Sequence, residues 1–194
     1  MTVSFSPREF LRSRQAVLVH FSTVMTSRPD LTFPDDMRQA MGLRGIPLAF
    51  STIQPGDTTP FRGGRGGAEG SVGIIVDIGP ATVIHSVSPS DSGSSEIGSL
   101  GLCPTEENCA ASIDKRTTSN EWHVRDYVPV GIFILPPIFV RRVAHAGEVE
   151  LDLQTAVALF PEQRIFSANA RTFLEFDRAS GQWRAVSYDD VIPL

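Results

Sequence analysis

Lysine is nearly missing from this chain: Lys115 is the only one, and the remaining positive charge is arginine. The arginines are dispersed, no dense basic stripe forms, and the net charge is -5. No extended nucleic-acid surface is therefore expected, because tracking phosphates needs clustered cations. A narrow pocket reading a single nucleotide is still compatible with this charge. Cysteine is scarce too. Cys103 and Cys109 are too few for a disulfide framework and lack the second ligand pair of a zinc site, so no metal is expected. A bridge between the two is geometrically open.

Long apolar runs are also absent. The longest, Val128 to Val140, is interrupted by Pro129, Pro136 and Pro137 and is too short to cross a bilayer. The opening residues, MTVSFSPREFLRSRQAVLVHF, lack the basic region and long apolar core of a signal peptide. The expectation is a cytoplasmic protein with no membrane partner; an effector exported by a dedicated machine reads the same way.

What is there is ordinary globular material: 41% hydrophobic and 20% charged residues in a chain of 194. A core of that size removes roughly 70% of the unfolded chain's surface from water and needs no staple. Residues 1–194 read as one α+β domain, strand-rich, with a split or curved, mainly antiparallel sheet and a few helices. Its core spans about 15–143, and a C-terminal helix and strand hairpin occupy 149–194.

Local signals place the elements. Ser6 caps a helix that has Pro7 at its first position and runs to about Gln15. Val17 to Thr23 reads as a buried strand. Pro34 opens a second helix that Gly42 stops. Further strands are predicted at Ile46–Ile53, Val72–Ile78, Thr82–Val87, Glu121–Arg125, Gly131–Leu135 and Ile138–Val143. Gln54-Pro55-Gly56-Asp57 is a turn, and residues 58–70 form a glycine-rich loop. Residues 88–107 form a long polar excursion, and Asp114 to Ser119 a polar turn. Val149 to Phe160 has helical spacing. Arg164 to Asp177 holds at least one strand, and QWRAVSYDDVI is the last.

Three segments carry candidate chemistry. His20 lies inside an apolar strand, VLVHFST, where a polar ring needs a partner, from the core or from a cleft. Phe50-Ser51-Thr52 ends a strand before a turn, where hydroxyls can bind a sugar or orient a carboxylate. Glu121 begins a strand beside Trp122, after a polar turn. Half-burial there fixes a carboxylate for electrostatic work. Each segment also reads as ordinary strand composition.

In chain order, a strand histidine, a strand Ser-Thr and a glutamate at the start of a later strand resemble the ADP-ribosyltransferase superfamily. The stretch EWHVRDYVPVGIFILPPIFV looks like the catalytic edge of that family. The resemblance covers about residues 15–143. It implies that His20 bonds the nicotinamide-side ribose of NAD, that Phe50, Ser51 and Thr52 wall the pocket, and that Glu121 stabilises the oxocarbenium-like ribose as nicotinamide leaves. Phe21, Phe50 or Trp122 would stack nicotinamide. Arg62 and Arg65, in FRGGRGG, would meet the pyrophosphate. The implied function is an NAD-consuming transferase or NAD glycohydrolase, such as a bacterial toxin or defence protein, with a protein, nucleotide or small molecule as acceptor. Arginine-modifying members carry an acidic residue or glutamine two positions before the catalytic glutamate. Ser119 stands there, which argues against a protein-arginine acceptor.

Two other readings stay open. One is a non-catalytic immunity or regulatory partner. The other is a degenerate papain-like fold of the NlpC type, which residues 33–87 also resemble. Val19 to Met25 holds no cysteine and Ser71 stands at the histidine position, so that family's thiolate chemistry is lost. Ser90-Asp91-Ser92-Gly93-Ser94 lacks a placed histidine and aspartate and reads as a loop.

Overall fold

The computed structural model describes residues 5–21, 41–42, 45–58, 71–90, 101–115, 120–141 and 148–193. Helix α1, Pro7–Ser13, starts as expected: Ser6 extends and its hydroxyl accepts from Glu9 N, with Pro7 in the first turn. Among the described residues eleven strands follow: β1 Val17–Phe21, β2 Leu48–Ile53, β3 Val72–Asp77, β4 Val83–Ser88, β5 Glu121–Arg125, β6 Val128–Ile134, β7 Ile138–Arg141, β8 Glu148–Leu151, β9 Ile165–Ala168, β10 Phe173–Asp177 and β11 Gln182–Val186. Further helices with both ends among the described residues are α2, Glu106–Asp114, α3, Leu153–Ala158, and α4, Tyr188–Val191. The protein is thus α+β and strand-rich.

Nine strands form one sheet in the order β11-β10-β9-β6-β3-β1-β2-β5-β4, and β7 and β8 make a separate pair. Among these strands only β6 and β9 run parallel. The chain's first strand is therefore central. The β1 ladder to β3 continues to Phe21↔Gly73, whereas its ladder to β2 stops at Val19↔Ser51. Gly73 permits the close approach. A Cβ there would lie 2.5 Å from Val19 Cγ1 and 2.8 Å from the His20 carbonyl.

Alternation sorts each strand into two faces. One face carries Leu18, Phe50, Ile74, Val76, Trp122, Val124 and Ile132 under Leu11 of α1, Cys109 and Ile113 of α2 and Ala156 and Val157 of α3. The other carries Val17, Val19, Ile53, Ile75, Phe133 and Phe166, closed by Val191 and Ile192. Arg8 ties α1 to the sheet through two bonds to Asp77, at 3.1 and 2.7 Å, and a third to the Pro193 carbonyl.

Four expectations need correction. The polar stretch after residue 105 is not loop: Thr105 caps α2 by accepting from Asn108 N, and Glu106 and Glu107 suit its first turn. The helix expected over Val149–Phe160 starts only at Leu153. Asp152 caps it, and Val149 and Leu151 pair with β7 instead. The segment Arg164–Asp177 holds two strands, because Asn169 Oδ1 accepts from Arg171 N and Thr172 N and turns the chain. The last expected strand ends at Val186, where Ser187 and Asp190 form a capping box that starts α4. The expected helix from Pro34 lies outside the described residues, apart from Met41 and Gly42.

Candidate functional site

The site is built from β1, β2, β5 and β4, which are neighbours in the sheet although β5 is about a hundred residues from β1 in sequence. The β2–β5 register pairs Ala49 with His123 and Phe50 with Trp122. One step further, Ser51 stands beside Glu121, and the Ser51 hydroxyl donates to the Asn120 carbonyl at 2.9 Å. On the other side of β5, Ser88 pairs with Glu121 and Ser86 with His123. Two rows result on one face of the sheet. The first is Val19, Ser51, Glu121 and Ser88; the second is Ala49, His123 and Ser86. The first row borders the apolar cluster that contains Val17, Val19 and Ile53.

The start of β5 is pinned from the opposite face. Asn120 is buried, and its Oδ1 accepts from Thr52 N at 2.8 Å. Its Nδ2 donates to Thr52 Oγ1 and to the Ser112 carbonyl of α2. Trp122 Nε1 donates to Ser112 Oγ at 2.9 Å, and that hydroxyl donates to the Cys109 carbonyl. These polar groups bond one another and the backbone, as a buried network requires. The residues on either side of Glu121 are therefore fixed, and with them its backbone.

The Glu121 side chain is 13% exposed and its Oε1 lies 3.3 Å from His123 Nε2. His123 Nδ1 lies 2.9 Å from Ser86 Oγ. The ring thus stands between the carboxylate and the Ser86 hydroxyl, with one nitrogen turned to each. The arrangement is a fixed carboxylate at the edge of an apolar cluster, flanked by hydroxyls and one imidazole.

The structure brings together some of the sequence-predicted residues and separates others. Ser51 and Glu121 fall on the same face of neighbouring strands. His20 does not join them: it stands on the Leu18 and Phe50 face, opposite to Glu121. Its Nδ1 donates to the Ala49 carbonyl at 2.7 Å, and its ring lies 5.6 Å from that of Phe50. The reason is the register. Val19, not His20, aligns with Ser51, and one residue along a strand changes the face. Phe50, Thr52 and Trp122 are also corrected as pocket walls and stacking groups. Phe50 is 1% exposed and the other two 0%, all packed under the helices. Phe21, on the Glu121 face, packs edge-on against Phe133 at 6.5 Å. Arg62 and Arg65 lie outside the described residues. Sequence reasoning missed His123, Ser86, Ser88 and Asn120. The spacing Glu121-x-His123 was a readable signal, since strand residues two apart share a face.

A separate open groove of about 590 Å³ lies across β9, β10 and β11, lined by Arg164, Glu175, Asp177, Arg178 and Arg184 among others. Its cations are already engaged. Arg178 donates to the carbonyls of Val157, Phe160 and Gln163, and Arg164 and Arg184 both donate to Glu175. These bonds, Arg164's first, hold the Glu175 carboxyl below its ordinary range against a smaller opposing effect of burial. Burial pushes the Cys109 thiol up to about 12, while Cys103 is exposed; both are free. Among the described residues no cluster of three or more His, Cys, Asp or Glu is placed to hold a metal, and no helix is long and apolar enough to cross a membrane. No family model, curated protein or solved structure matches the chain.

Proposed function

We propose that the protein cleaves the nicotinamide–ribose bond of NAD at Glu121, as an ADP-ribosyltransferase-like or NAD glycohydrolase-like enzyme. What supports the reading is the position of one carboxylate. Glu121 is nearly withdrawn from water at the start of β5, beside Ser51 and against an apolar border. That is where the resemblance asks for a Ser-Thr strand and a glutamate to meet. As the glycosidic bond breaks, its electron pair leaves with nicotinamide, which becomes neutral, and positive charge develops on the ribose carbon. A preorganised carboxylate stabilises that charge without reorganising. Water or an acceptor hydroxyl then adds to the carbon and releases its proton to solvent. The centre draws on Ser51, Glu121 and His123 rather than on His20, whose ring lies on the other face.

The test is nicotinamide release from NAD by the purified chain. Wild type releases nicotinamide, Glu121→Gln loses about 100-fold or more in kcat, and His20→Gln keeps the wild-type rate. No release, together with no change in melting temperature on adding NAD, supports the non-catalytic binding protein instead.

A further inference from the structure

We infer that His123, held by Ser86, is a positioning residue that sets the orientation of the Glu121 carboxylate. The inference rests on the reading of Glu121 above and goes beyond it by assigning two residues that the resemblance does not use. The β4–β5 ladder is irregular. Val83 pairs with Arg125 and Ile84 with Val124, so unbroken pairing would set His85 opposite His123 and Ser86 opposite Trp122, on the helix-covered face. The register shifts between Ile84 and Ser86. The bulge removes His85 from the ladder, turns Ser86 onto the face of His123, and sets Ser88 beside Glu121. A bulge re-aims side chains in this way, and here it delivers a hydroxyl to an imidazole that no regular hairpin would place there.

Ser86 is confined as well. Gly101 presses on it so closely that a Cβ there would lie 2.3 Å from Ser86 Oγ and 2.4 Å from its Cβ. Just beyond, Leu102 exchanges two backbone hydrogen bonds with Val87, which fixes Gly101 at the sheet edge. The order of constraint therefore runs from backbone to Gly101, to Ser86 Oγ, to His123 Nδ1, and from Nε2 to Glu121 Oε1, 3.3 Å away. Where the Ser86 hydroxyl donates to Nδ1, the ring carries its proton at Nε2, on the side of the carboxylate. A chain of this kind restrains a carboxyl torsion.

The experiment measures NAD cleavage by the full chain together with the ¹⁵N resonances of the His123 ring. His123→Phe keeps ring bulk but donates nothing, and is expected to lower kcat about 100-fold with KM little changed, the loss typical of a misplaced group. His123→Gln, whose amide can donate near the Nε2 position, recovers most of that loss. Ser86→Ala gives a smaller fall and, in the ¹⁵N spectrum, converts the single Nε2–H tautomer into a mixture. A merely structural histidine would move neither the kcat-against-KM split nor the rescue by glutamine. Wild-type turnover preserved in His123→Phe, or a mixed tautomer already in the wild type, overturns the inference while leaving Glu121 in place. Absence of turnover in the wild type removes the Glu121 reading and this inference with it.

Discussion

Replacing Asn120 by alanine tests whether the buried network under α2 holds the start of β5. The substitution removes three hydrogen bonds, to Thr52 N at 2.8 Å, to Thr52 Oγ1 and to the Ser112 carbonyl at 3.0 Å. Thr52 Oγ1 loses a donor, and the Thr52 amide loses its Asn120 acceptor. Thr52 is 0% exposed, and the β2–β5 ladder has already stopped at Phe50↔Trp122. A stranded buried donor costs about 1–3 kcal/mol and the lost bond to the carbonyl about 1 more. The expected destabilisation is therefore about 3 kcal/mol, read as a lower urea midpoint at unchanged m-value. For a chain of this length that is a fall in melting temperature of about 6–12 °C. Asn120→Asp is also destabilising, because a carboxylate accepts from Thr52 N but cannot donate to Ser112. In a double-mutant cycle, Asn120→Ala and Thr52→Val are less than additive, since they share a bond. A loss below about 0.5 kcal/mol for Asn120→Ala would refute the claim that this side chain carries the junction.

Three further outcomes follow from the packing and the charges. Gly73→Ala puts a Cβ 2.8 Å from the His20 carbonyl, a backbone atom that cannot swing away; a loss of about 1–3 kcal/mol is expected from denaturant curves. Glu175 has a folded-state pKa below its unfolded one, so its stabilisation is present above the ordinary carboxylate range and fades as pH falls through the folded value. The partners Arg164 and Arg184 are 41% and 65% exposed, so water screens the pairs. Glu175→Gln should then cost about 1 kcal/mol or less at pH 7 and flatten that part of the acid limb of a stability–pH profile. Cys103 should react with a thiol reagent in the native protein while Cys109, buried and with its thiol pushed up to about 12, reacts only on unfolding.

Much of the strand framework was legible because its signals are local. The cap at Ser6 and Pro7, the apolar runs at Val17 and Val72, and the turn at Pro55-Gly56 each act over a few residues. Gly56 takes the positive φ of 106° that its turn requires. The helix α2 was missed because it is short and carries little apolar periodicity, although Thr105, Glu106 and Glu107 mark its start. The extent of the C-terminal helix was misjudged because Val149 and Leu151 satisfy a helical and an alternating pattern equally well, and only pairing with β7 decides between them.

The candidate site was legible in part for the same reason. Ser51 and Glu121 were found as residues at strand ends, but whether two strand residues share a face depends on register, which sequence periodicity does not fix across strands far apart in the chain. His20 was misplaced by a single residue of register. Ser86 was out of reach because a bulge aims it, and nothing in Ile84-His85-Ser86 announces the shift.

The central claim is that Glu121, oriented by its neighbours on the β2–β5–β4 face, does the chemistry on NAD. Quantifying free nicotinamide after incubating NAD with wild-type and Glu121→Gln protein of equal unfolding midpoint tests it most directly. The account predicts steady release by the wild type and a drop of about 100-fold in the variant. Equal release by both proteins would contradict it.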